Sequence, residues 1–149
     1  FAASLKIGLI DTQRILQESK ASQQAREAIV QELKEKQTVY QGKEREVMSA
    51  REAYEREKAN LTPEEAREQQ LELARDLKEL RRLKADLEEE LNLRNRESTA
   101  RILEEVAEVV SEFRKEEGYS FIMEKKSVVT ADPAIDVTDD IIRLYDKKP

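Results

Sequence analysis

The chain has no cysteine and no histidine. Without cysteine there is no disulfide, no thiolate metal site and no sulfur nucleophile, although a cysteine-free chain fits any redox compartment. Without histidine the commonest general base and metal ligand is missing too. Gly8, Gly42 and Gly118 are isolated, so no glycine-rich loop cradles a phosphate, and an ATP-driven machine is not expected. No apolar run approaches the roughly 20 residues that cross a bilayer. No complete signal peptide is read; Phe1-Ala2-Ala3-Ser4 has the small residues of a mature exported start, and equally those of a cloning remnant.

What is present is charge. Charged residues make up 40% and hydrophobic residues 38%, where about 25% and 45 to 50% are usual. So much charge cannot be buried, and the excess of Glu, Lys, Arg, Leu, Ala and Gln points to extended helices with a thin apolar seam. The net charge is -6, and no block of Lys and Arg stands apart from nearby acids. Binding to nucleic acid by counterion release is therefore not expected, and an anionic membrane is a doubtful partner.

The chain turns around Asn60-Leu61-Thr62-Pro63-Glu64-Glu65. Proline lacks an amide hydrogen and has a fixed φ, so Pro63 belongs in the first turn of a new helix. Thr62 caps that turn, and Glu65 can reach back to the Thr62 amide, which makes a capping box. The long polar stretches on either side read as two helices joined by a tight reversal with its tip at 60–63. In the first, Leu33, Tyr40, Val47, Tyr54 and Leu61 repeat every seven residues, but Lys36, Lys43 and Glu57 fall where the seam should be completed, so it is half a coiled coil. In the second, Leu73, Leu77, Leu80, Leu87 and Leu91 are expected to form an a/d seam interrupted only by Lys84. Met48 lies off the seven-residue line and is expected to face outward, where a soft, adaptable side chain suits a promiscuous surface. Tyr40 and Tyr54 are candidates for the same contact, although packing within the hairpin explains them as well.

At the two ends the character changes. Lys6-Ile7-Gly8-Leu9-Ile10 reads as a strand, with Asp11 capping the helix after it, and Ser19-Lys20-Ala21-Ser22 is a weak point before the long first helix. Ile102, Leu103, Val106, Ala107, Val109, Val110 and Phe113 widen the apolar stripe to nearly two helix faces, and Gly118 supplies a left-handed stop. Tyr119 to Met123 and Val128 to Ala131 are expected to form a β-hairpin turning at Lys125-Lys126. Thr138, Asp139 and Asp140 open a last helix carrying Ile141, Ile142, Leu144 and Tyr145.

The expected fold class is thus α+β, mostly α: a long antiparallel helical hairpin, or coiled-coil arm, over 19–101, on a small β-rich body formed by 1–18 and 102–149. The body core and oligomerisation surface are assigned together to Ile7, Leu9, Ile10, Val106, Val109, Val110, Phe113, Phe121, Ile122, Val128, Val129, Ile141 and Leu144. A body this small buries too little surface to be secure alone, and its strands leave edges to cover, so self-association is expected.

No catalytic constellation emerges, and neither an enzyme nor a cofactor is expected. Glu88-Glu89-Glu90 and Glu104, Glu105 and Glu108 have the chemistry to hold a divalent cation but read as solvated helix faces.

Three ordered motifs match a known pattern: Lys6-Ile7-Gly8-Leu9-Ile10-Asp11, then Tyr119-Ser120-Phe121-Ile122-Met123 before Val128-Val129, then Asp136-Val137-Thr138-Asp139-Asp140-Ile141-Ile142. With the arms between them, the chain resembles the Skp/OmpH family of periplasmic chaperones over nearly its whole length. The resemblance implies a homotrimer whose bodies join into a small β-barrel. Its arms surround a cavity that holds unfolded outer-membrane proteins without ATP and prevents their aggregation. The best-known members are strongly basic and this chain is acidic, so no lipopolysaccharide or membrane site is carried over. The alternative is a structural coiled-coil scaffold that binds one folded partner. A prefoldin-like subunit would place strands between the helices, where Asn60 to Pro63 leaves no room.

Overall fold

The computed structural model describes residues 4–149; Phe1, Ala2 and Ala3 of the expected exported start lie outside the described residues. The elements, in chain order, are β1 (Ile7–Ile10), α1 (Thr12–Glu18), α2 (Lys20–Glu57), a 3-10 turn at Lys58–Asn60, α3 (Pro63–Glu116), β2 (Phe121–Glu124) and α4 (Thr138–Lys147). The chain divides into two units, one from the N-terminus to Ala28 together with Asn95–Pro149, the other Ile29–Arg94.

The unit Ile29–Arg94 is a helical hairpin. Its reversal is secured by both halves of the capping box: the Glu65 amide donates to Thr62 Oγ1 at 3.2 Å, and the Thr62 amide donates to Glu65 Oε2 at 2.9 Å. Each bond satisfies an amide that the first turn of α3 would otherwise leave without a partner. On α2, Ile29, Leu33 and Val47 are buried, with Tyr40 and Tyr54 half-buried. Gly42 lies within the unbroken α2, and a Cβ added there would meet nothing within 4 Å.

The second helix keeps Leu73, Leu80 and Leu87 of the expected seam but completes the row with different positions between them. Leu73, Asp76, Leu80, Leu83, Leu87, Glu90 and Arg94 form the half-buried row, stepping by three and four. Leu83 therefore occupies the place that Lys84 was expected to interrupt. Leu77 lies beside the row, half-buried, and Leu91 is 40% exposed. The expected phase maximised leucines, whereas the observed one puts charged side chains into the seam because α2 supplies opposite charges to meet them. Lys43 meets Asp76, Lys36 meets Glu90, and Glu32 meets Arg94.

In the other unit, β1 and β2 pair in parallel, Ile7 opposite Phe121 through Ile10 opposite Glu124. The expected hairpin between β2 and 128–131 does not form. Lys125–Ser127 is a 3-10 turn, after which the chain passes to the far side of β1, where Leu9 bridges to Asp136 and its carbonyl accepts from the Val137 amide at 2.8 Å. β-branched residues favour extended backbone but do not choose a partner. Parallel pairing needs a long crossover, and the whole helical excursion between the strands supplies it.

The core of this unit joins Ile15, Ala25, Ile102, Val106, Val109, Phe113, Val137, Ile141 and Tyr145, with Ile10, Val110 and Ile122 packed against it. Leu9 is buried as well, while Ile7 and Val128 are half-buried. Of the residues assigned to the core and oligomerisation surface, Phe121 is 40% exposed, Leu144 38%, and Val129 is fully exposed within the single chain. On α4 the reason is phase. Ile141 and Tyr145, one turn apart, take the inner face and turn Leu144 outward. Ile15, on α1, is wholly buried. Gly118 ends α3 at φ +71, the left-handed conformation that a residue with a Cβ adopts only with strain.

Candidate functional site

The first candidate surface is apolar and belongs to the strand-bearing unit. β1 contributes Ile10, β2 contributes Ile122, and one face of α3 contributes Leu103, Val106 and Val110; together they line an open groove of about 300 Å³ with Arg114 at its rim. Phe121 and Leu103 are exposed. Among the described residues β2 has β1 as a neighbour on one side only, so its other edge presents unpaired amides and carbonyls. A smaller cavity of about 150 Å³ lies between Leu9, Lys125, Val128, Val129, Pro133 and Asp136.

A polar node holds the segment bordering that cavity. Asp136 Oδ1 accepts from the Thr138 amide at 2.9 Å and from the Thr138 hydroxyl at 2.5 Å, and Thr138 Oγ1 accepts from the Asp11 amide at 3.0 Å. Lys125 Nζ lies 3.5 Å from the other Asp136 oxygen. Burial opposes ionisation of Asp136, but the two bonds from Thr138 and the charge of Lys125 outweigh it and hold the carboxyl below its ordinary value. One threonine hydroxyl thus serves the start of α4 and the end of β1 together. In the sequence Thr138 stands only as the opener of the last helix, and nothing local marks Asp11 as its partner.

On the inner face of α4, Tyr145 donates to Glu105 on α3. Burial first, and then the acceptor carboxylate, raise its phenol above the ordinary tyrosine value. Tyr145, Glu105, Glu108, Asp146, Lys20 and Lys148 border an open polar groove of about 490 Å³.

In the hairpin unit, the candidate contact residues separate. Met48 is exposed. Tyr40 and Tyr54 are half-buried and hydrogen-bonded, Tyr40 donating to Glu44 at 3.3 Å and Tyr54 accepting from Gln70 at 2.7 Å. Leu61, at the reversal, is half-buried. Val39 and Leu71 are exposed on the same unit and did not stand out in the sequence, because single apolar residues among charges carry no period. Among the described residues no cluster of three or more acidic side chains is placed to hold a metal ion, and no helix is long and apolar enough to cross a membrane. Within Glu88-Glu89-Glu90, Glu90 is engaged by Lys36.

A family model described as outer membrane protein (OmpH-like) matches residues 6–145. The chain belongs to this family. The OmpH-like match takes in all three motifs noted in the sequence, which fall on β1, on β2 and on the node from Asp136 into α4. No curated protein matches the chain. Among solved structures, an OmpH-like protein of Caulobacter crescentus CB15, assigned as an outer membrane chaperone, superposes with a TM-score of 0.76 at 14% identity. The alignment covers 98% of this chain and 86% of that one. At that identity the likeness establishes the OmpH-like fold.

Proposed function

We propose that this OmpH-like chain is an ATP-independent holdase of the periplasm. It forms a homotrimer by joining the strand-bearing bodies, residues 1–18 and 102–149, into a small β-barrel. The hairpin arms, 19–101, enclose unfolded outer-membrane proteins in the cavity between them and prevent their aggregation.

One observation carries the reading: in a member of the OmpH-like family, the β2 edge, the groove at Ile10, Leu103 and Ile122, and the side chains of Phe121 and Val129 are all left uncovered. A two-stranded sheet is marginal in water, and an open apolar edge invites pairing with another chain. A head-to-tail contact between copies closes into a ring and removes that edge from every copy. Retention without ATP then needs many weak contacts in place of one tight site. Isolated exposed residues such as Val39, Met48 and Leu71, repeated on several arms, suit that role because multivalency converts weak contacts into retention with easy release. Unfolded barrel proteins need such a holder, since their alternating apolar strands aggregate in water.

The test measures native mass and aggregation of a urea-unfolded β-barrel membrane protein on the same sample, over a range of subunit ratios. The expected result is a trimer that suppresses aggregation near three subunits per client. A stable monomer at micromolar concentration rejects the assembly; a trimer that gives no protection at any ratio rejects the holdase and favours a scaffold.

A further inference from the structure

α1 and α2 are separated by a single residue. Ser19 is extended, with φ -67 and ψ 147, while its neighbours Glu18 and Lys20 are helical. Sharp helix breaks usually have a covalent cause such as proline or glycine. Neither is near: 12–57 contains no proline, and its one glycine is Gly42. Serine itself disfavours a helix interior by well under about 1 kcal/mol. Local sequence therefore permits one continuous helix from Thr12 onward, with Ser19 as its weak point, and does not by itself require the break.

The hydrogen bonds show what holds the broken form. Ser19 closes α1 through its amide to the Ile15 carbonyl at 3.0 Å and caps α2 by accepting from the Ser22 amide at 3.3 Å. Arg26 donates to the carbonyls of Leu16 and Gln17, both at 3.2 Å, which α1 leaves free at its end. These groups all travel with the segment. The Lys20 amide at the start of α2 donates to Asp146 Oδ1 on the last turn of α4 at 2.9 Å. In a continuous helix that amide would take the Leu16 carbonyl instead, so the Asp146 bond exists only in the broken form, as do the Ser22 and Arg26 bonds, and of these it alone comes from outside the segment.

We propose that the α1–α2 junction is a latch-held switch: Asp146 of α4 selects the broken form, and its withdrawal lets Ser19 become helical so that α1 and α2 fuse. A contact made in one state and absent in the other is what biases a two-state element. Ile15 is wholly buried and anchors α1, so fusion redirects the start of α2. Lys20 and Asp146 both border the open polar groove of about 490 Å³, which leaves the latch within reach of solvent.

The test reads the backbone carbon chemical shifts of Ser19 in the full-length protein. In the wild type they lie in the extended range. Asp146→Ala moves them into the helical range, and Asp146→Asn, which keeps an acceptor oxygen, leaves them extended. Adding Lys20→Pro to Asp146→Ala restores the extended shifts, because proline favours the first helical position, lacks the amide that needs the latch, and disfavours helical backbone in the residue before it. Two results overturn the proposal: Ser19 staying extended in Asp146→Ala, or residues 19–23 moving together to random-coil shifts. If Asp146→Ala alone does not fold, recovery of the fold by Lys20→Pro supports the latch, and failure to recover overturns it.

Discussion

Lys43 on α2 donates from Nζ to Asp76 Oδ1 on α3 at 2.8 Å, with the two side chains 19% and 25% exposed. The pair sits in the middle of the hairpin seam, where apolar side chains are the usual occupants. A polar pair at such a position specifies register at some expense of stability, because only one alignment of the helices brings the charges together.

Replacing Lys43 alone by Leu leaves Asp76 half-buried without its cation, and the thermal midpoint falls. Replacing both, Lys43→Leu with Asp76→Leu, recovers the midpoint or exceeds it, because the seam then closes on apolar contact. Circular dichroism melts check this, and a double variant less stable than the single one contradicts it. The bond from Asp76, together with the smaller influence of Glu46, raises the Lys43 ammonium above its ordinary value of 10.5 against a desolvation that lowers it. A raised folded value means that the contribution is complete below about pH 10.4 and is lost as pH rises through the folded value. The midpoint of the wild type therefore drops in that alkaline range more than that of the double Leu variant.

The phase of the second helix is testable by paired truncations. Leu83 lies in the half-buried row and Leu91 outside it. Leu83→Ala is expected to destabilise by about 1 to 2 kcal/mol, below the full-burial range of about 2 to 5 kcal/mol because the site is only half-buried. Leu91→Ala is expected to cost under about 0.5 kcal/mol. Urea titration of both variants decides it, and equal losses would return the seam to the leucine-maximising phase.

Asp136 governs acid stability of the strand-bearing unit. Asp136→Ala removes the acceptor for the Thr138 amide and hydroxyl and is expected to cost about 1 to 2 kcal/mol, the usual net size of two hydrogen bonds. The wild-type carboxyl is held below its ordinary value, so its contribution is present above about pH 3.9 and is lost as pH falls through the lower folded value. The acid limb of the unfolding curve below pH 4 is accordingly shallower in Asp136→Asn, as measured by melts from pH 2 to pH 5.

Phe121→Asp places a charge beside the unpaired β2 edge while removing an exposed ring, so the folded chain loses little. If that edge joins copies, association weakens by at least about 100-fold, corresponding to about 2.7 kcal/mol of interface energy, with helix content retained. Sedimentation equilibrium checks it. Unchanged mass would place the interface elsewhere.

The sequence alone determined the hairpin, its reversal and the outline of the body. The capping box at Thr62 and Glu65, the left-handed stop at Gly118 and the strand at Ile7–Ile10 are local events, decided by groups within a few residues of one another. The tertiary structure decided which elements meet. The β-branched residues of 128–130 favour a strand, yet no strand forms there: β2 pairs with β1, and the flanking place on β1 goes to Asp136. In the α3 seam Leu83 joins Leu73, Leu80 and Leu87 while Leu91 stays exposed, because the charges of α2, distant in sequence, are met by Asp76 and Glu90. The break at Ser19 was visible as a weak point, but the aspartate that meets the Lys20 amide arrives from α4, 126 positions beyond Lys20. Propensity and capping act over a single turn, whereas partner choice depends on the competition among all the surfaces that folding brings together.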